Sequence, residues 1–99
     1  GTEAQVDTGG ALPLLRRLVL KETRLDFVFL DPPYRDHAAY EKTMQFLGEQ
    51  PILREDAIVV AEHSRREPLV SHPAMEPYRT VEQGEAAVTF FRLVAGRPR

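Results

Sequence analysis

The sequence predicts an α/β domain with a partly parallel sheet, and three observations carry that expectation. Apolar residues recur at helical spacing in two segments, short continuous runs rich in Phe, Val and Ile alternate with them, and the C-terminal part reads as two strands joined by a tight turn. The resulting order of helix, strand, helix, strand, connector and hairpin is that of an α/β fold. At 99 residues, 42% hydrophobic and 28% charged, the chain suits one domain with a modest core.

Each element has its own reason. Gly9 and Gly10 precede ALPLLRRLVLKE, where Leu12, Leu15, Leu18 and Val19 share one helical face and Arg16, Arg17, Lys21 and Glu22 the other. Pro13 is tolerated only in a first turn, where a backbone N–H has no intrahelical partner, so the helix begins just before it. RLDFVFLD is too short and too rich in Phe and Val for a helix, and its unbroken apolar run from Phe27 to Leu30 predicts a strand covered on both faces. Asp36 is placed to cap a second helix, HAAYEKTMQFLGE, with Tyr40, Met44 and Leu47 as its inward stripe and Gly48 and Pro51 as its stop. AIVVAE is a second buried strand. After the polar, proline-punctuated HSRREPLVSHPAMEP, the segment YRTVEQGEAAVTFFRL reads as a hairpin turning near Gln83–Glu85, with Phe90 and Phe91 on opposite faces.

Composition narrows the function classes. Thirteen Lys and Arg against fifteen Asp and Glu give a net charge of -2, so a nucleic-acid partner would need local basic patches. The absence of cysteine excludes disulfides, a thiolate nucleophile and a zinc ribbon, and suits a reducing cytosol. The start, GTEAQVDTGG, has no secretory pattern and no apolar run approaches membrane-spanning length, so the chain is read as cytoplasmic.

The chemistry concentrates in DFVFLDPPY. In an open parallel sheet, ligands collect beyond the carboxyl ends of strands, where Asp31, Pro32, Pro33 and Tyr34 fall. The prolines fix their own φ and remove donors, leaving carbonyls free to accept. A carboxylate, a carbonyl and a flat ring on a stiff shelf suit a planar group bearing an amine: the ring stacks while Asp31 and the Pro32 carbonyl accept the two amine hydrogens. The alternative is that the prolines only turn the chain and Tyr34 packs on the next helix.

DPPY after a hydrophobic strand resembles the (Asn/Asp/Ser)-Pro-Pro-(Tyr/Phe/Trp) signature of amino-methylating, S-adenosylmethionine-dependent methyltransferases. FVFLDPPYRD, LREDAIVVAEHSRREPL and YRTVEQGEAAVTFFRL together resemble the RsmD family, bacterial enzymes that methylate the exocyclic amine of a guanine in small-subunit ribosomal RNA. The resemblance runs from about Gly10 to Phe91 and implies a Rossmann-like class I methyltransferase half-domain, the later part of a single domain spanning residues 1–99, without the first strands and their Gly-rich cofactor turn. It also implies that Asp31 and the Pro32 carbonyl orient the target amine, that Tyr34 stacks on the extruded guanine, and that Leu30, Asp31 and Gly10 face S-adenosylmethionine. Gly10 stands where the family has an Asp, since its GDA appears here as GGA. Glu62 and His63 match the family's EH at the next strand end. His63 is then a candidate proton acceptor or RNA contact, the alternative being a strand-end histidine with a structural part.

Other expectations follow. Arg65 and Arg66, with Arg35 at the cleft mouth, form a candidate phosphate-binding patch, against the alternative of a solvated loop of paired charges. His37, His63 and His72 lack metal spacing, and Ser64 lacks the flanking glycines of a nucleophile elbow. Ribosomal RNA is the expected partner. Without a first strand, Phe27–Leu30 is expected to present a bare edge for self-association or for a missing N-terminal half, with AQV before Asp7 lacking a clear place in the sheet. Methylation of an amine in DNA and a non-catalytic assembly module are the competing functions.

Overall fold

A computed structural model describes residues 3–6, 11–31 and 37–94. Its elements run β1 (Glu3–Val6), α1 (Ala11–Leu20), β2 (Leu25–Leu30), α2 (His37–Glu49), β3 (Leu53–Ser64), β4 (Met75–Gln83) and β5 (Ala86–Leu93). The strands form one sheet in the order β1-β2-β3-β5-β4. β1, β2 and β3 are parallel, and β5 runs antiparallel to both its neighbours. This is the α/β, partly parallel sheet ending in a hairpin that the sequence predicts.

Two expectations about β2 are corrected. Its Phe27–Leu30 edge is not bare, because β2 is an interior strand between β1 and β3, with Glu3 beside Phe27 and Val6 beside Leu30. AQV therefore has a place, on the flank that the resemblance assigns to a first strand. Its backbone pairs amides and carbonyls that an open edge would leave to solvent, and association through that edge loses its physical basis. Nor is β2 covered on both faces. Val28 and Leu30 are buried in one cluster with Leu15, Tyr40, Met44, Leu47, Val59, Ala61 and Phe91, so both helices pack on this side of the sheet. Phe27 and Phe29 alternate to the other side, beside Ile58 and Val60, and keep part of their surface in solvent.

The remaining elements form for local reasons. Pro13 lies in the first turn of α1, as predicted. That helix ends in a left-handed residue, Glu22 (φ 56), with Thr23 N–H donating to the Leu18 carbonyl at 2.9 Å and Glu22 N–H to that of Val19 at 3.0 Å, which satisfies carbonyls of the last turn. In α2 the expected stripe is buried, and buried Thr43 donates to the Ala39 carbonyl at 2.8 Å. β3 is longer than AIVVAE. Leu53 pairs with Leu25 ahead of an irregularity, and Glu62, His63 and Ser64 pair with Val88, Ala87 and Ala86. The hairpin turns at Gly84–Glu85, where Gly84 has φ 61, the left-handed conformation that the first residue of a two-residue turn requires.

Gly48 lies within α2 rather than beyond its end. The ring of His72, from the connector before β4, packs over it, and a Cβ there would overlap that ring. His72 also reaches Glu49 at 3.2 Å, so the connector is fastened to the last turn of α2.

Candidate functional site at the carboxyl ends of the parallel strands

Parallel pairing brings two carboxylates together. β2 and β3 run side by side from Phe27/Ile58 to Leu30/Ala61, and Asp31 and Glu62 each follow the last pair. Their backbones are therefore about one strand spacing apart, roughly 5 Å. Leu30 is fully buried and forms the floor, while Asp31 and Glu62 are half-buried at the sheet's end. Acceptors so placed can receive N–H groups from a ligand resting on the end of the sheet. Pro32, Pro33, Tyr34 and Arg35, together with Gly10 and Asp36, lie outside the described residues.

Tyr40 fixes this end to α2. Its hydroxyl donates to the Glu62 carbonyl over a long 3.4 Å. Burial pushes its ionisation well above the usual range and the nearby Glu62 carboxylate adds to this, so Tyr40 stays a neutral donor. The sequence shows the apolar stripe to which Tyr40 belongs but not the carbonyl its hydroxyl meets.

His63 is engaged within the sheet. Its Nδ1 lies 3.0 Å from the Ser64 carbonyl and its Nε2 2.8 Å from Thr89 Oγ1. Because a carbonyl can only accept, Nδ1 carries a proton, and in the neutral ring Nε2 then accepts from Thr89. Thr89, fully buried, lies 3.0 Å from Thr80 Oγ1, which completes a polar chain across β3, β5 and β4. With both nitrogens occupied, the geometry favours the structural reading of His63 over that of a proton acceptor.

The basic candidates divide in a similar way. Arg66 makes a two-pronged contact with Glu85, Nε to Oε2 at 3.1 Å and a terminal nitrogen to Oε1 at 3.3 Å. Arg65 N–H donates to the Glu85 carbonyl at 3.1 Å, and its side chain is exposed. Both arginines therefore flank the hairpin turn, at the same end of the sheet as Asp31 and Glu62. The other histidines lie elsewhere: His37 is 3.7 Å from Glu67 and His72 contacts Glu49, both along a groove between α2 and the connector. Among the described residues no three His, Asp or Glu side chains converge as a metal ion requires.

Comparison with known proteins accords with this architecture. Residues 2–92 match the family described as conserved hypothetical protein 95. The chain belongs to that family. No protein of curated function matches it. Among solved structures, a Haemophilus influenzae protein provisionally named a methylase superposes with a TM-score of 0.61 at 24% identity, covering 71% of this chain and 43% of its own. An Escherichia coli protein provisionally named a methyltransferase gives 0.65 at 16% identity over 93% of this chain and 75% of its own. A conserved hypothetical protein of Streptococcus pyogenes gives 0.58 at 26% identity over 84% and 52%. The family member described here thus has a methyltransferase-like α/β fold, and it spans about half the length or less of two of these three structures.

The fit to a methyl donor is one-sided. The described glycines, Gly48 and Gly84, sit under His72 and in the hairpin turn, not beside the end of β2. The described residues thus supply acceptors for an amine but no Gly-rich cradle for S-adenosylmethionine. Among them no helix is long and apolar enough to cross a membrane.

Proposed function

We propose that this chain is the amine-binding part of an S-adenosylmethionine-dependent methyltransferase acting on the exocyclic amine of a guanine in small-subunit ribosomal RNA. The observation that carries the reading is Asp31 standing half-buried at the carboxyl end of β2, in a sheet with a methyltransferase-like fold. Asp31 accepts one hydrogen of the amine, the Pro32 carbonyl the other, and Tyr34 stacks on the base. Holding both hydrogens in place aims the nitrogen lone pair, and such positioning needs no strong general base. Arg65, and Arg35 at the cleft mouth, meet phosphates. Arg66 and His63, already partnered by Glu85 and Thr89, hold the surrounding structure.

S-adenosylmethionine supplies the methyl group when bound. Leu30, Asp31 and Gly10 are the residues of this chain proposed to face it. The test is methyl transfer from labelled S-adenosylmethionine to unmethylated small ribosomal subunits by the protein and by Asp31→Asn. Label on guanine N2, reduced at least roughly 100-fold in the variant, supports the proposal. Label on duplex DNA instead, or an undiminished variant, overturns it.

A further inference from the structure

The face of the sheet opposite the helices carries a pocket that the methyl-transfer reading leaves unused. It is an open depression of about 420 Å³ between Glu62 of β3 and the hairpin, walled by Val81, Val88 and Phe90, with Gln83 at its rim. Cross-strand pairing explains the grouping: Glu62 lies opposite Val88, Val88 opposite Val81, and Gln83 opposite Ala86, so these side chains share one face. The volume falls in the range of small-ligand sites, roughly 300–1,000 Å³.

One charge lines the pocket and a second stands beside its Phe90 wall. The half-buried Glu62 carboxylate makes no hydrogen bond or ion pair among the described residues and has lone pairs to offer a donor in the pocket. The Arg79 guanidinium lies over the Phe90 ring, 5.9 Å from its centroid, and has no carboxylate partner among the described residues. A flat ring would rest against Phe90 and the two valines, present adjacent N–H groups to the carboxylate, and place an anionic substituent near Arg79. A guanine nucleotide has this arrangement: its ring N–H and exocyclic amine are the paired donors and its phosphate is the anion. An arginine side chain from a protein partner would offer similar donors, but its charge would be repelled by Arg79.

We infer that this pocket binds a guanine nucleotide of single-stranded RNA, next to the base held at Asp31. Asp31 and Glu62 each follow the last β2–β3 pair, and the pocket opens from Glu62 away from β2, so its occupant is a neighbouring nucleotide rather than the methylated one. The inference rests on the proposed function only for the choice of RNA. Its test requires no methyl donor, so the two readings fail separately.

The probes are GMP, IMP, AMP and N-acetylarginine amide, titrated into the chain by calorimetry with Phe90 resonances followed by NMR. GMP is expected to bind at least tenfold more tightly than AMP, with IMP between them because it lacks the exocyclic amine. Glu62→Gln should lose at least tenfold for GMP and leave AMP within twofold, whereas Arg79→Ala should weaken both alike. Val81→Trp, which fills the pocket, should abolish binding while the circular dichroism spectrum is kept. Equal affinity for GMP and AMP, an unaffected Glu62→Gln, preference for the arginine amide, or no binding at millimolar nucleotide would each overturn the inference.

Discussion

The two faces of the sheet are made of similar residues and do different work. On the helix side Val28, Leu30, Val59, Ala61 and Phe91 are sealed at 0–1% exposure beneath α1 and α2. On the other side Val60 is buried, but Phe27, Phe29, Ile58, Val88 and Phe90 around it keep contact with water, and Glu62 and Arg79 stand among them. Burial, and with it most of the hydrophobic stabilisation, is concentrated on one face. The other face stays partly open to solvent, so residue type alone does not say which face is core.

The sharpest way to break this comparison is to truncate the adjacent phenylalanines in turn. Phe91→Ala on the closed face is expected to cost about 3–5 kcal/mol in urea unfolding. Phe90→Ala on the open face should cost about 1 kcal/mol. Equal losses would mean that both faces are core. A smaller effect tests the polar chain under the closed face. Thr89→Val removes the donor to His63 Nε2 and should destabilise by roughly 1–2 kcal/mol, with no change in the salt dependence of RNA binding. A changed salt slope would return His63 to the phosphate contacts.

Alkali gives a third measurement. Tyr40 has a folded pKa raised above its unfolded value near 10, so its contribution to stability is fully present below pH 10 and is lost as pH rises from there towards the folded value. Thermal unfolding midpoints should fall above pH 10 in the wild type and fall less in Tyr40→Phe; parallel curves would place the titrating group elsewhere. The smallest effect belongs to the exposed Arg66–Glu85 pair, whose side chains are 73% and 76% exposed. Arg66→Ala should change stability by no more than about 0.5 kcal/mol.

Much of this was legible in the sequence where one pattern had one physical meaning. The Tyr40, Met44 and Leu47 stripe, Pro13 in a first turn and Gly84 in a tight hairpin each follow from local geometry. Legibility failed where an outcome depended on distant partners. The run Phe27–Leu30 reads as covered on both sides because its residues are apolar, but coverage depends on where the helices pack. AQV reads as having no clear place in the sheet because pairing with Phe27–Leu30 leaves no local mark in four residues. At the site, Asp31 is announced by its strand and prolines. Glu62 as an acceptor with no hydrogen-bond partner among the described residues, and Thr89 as the partner of His63, depend on strand register.

The clasp between His72 and α2 settles a question of proton placement. Because Ala74 N–H donates to Nδ1 at 3.0 Å, that nitrogen must keep its lone pair, and the ring hydrogen resides on Nε2, pointing at Glu49. The imidazole is thus held as a single tautomer, the opposite of the one at His63. Taking up a second proton would turn Nδ1 from acceptor to donor and set it against the Ala74 amide. Nitrogen chemical shifts of the two rings therefore provide a paired spectroscopic gauge, one reporting on the seam between helix and connector and the other on the interior of the sheet.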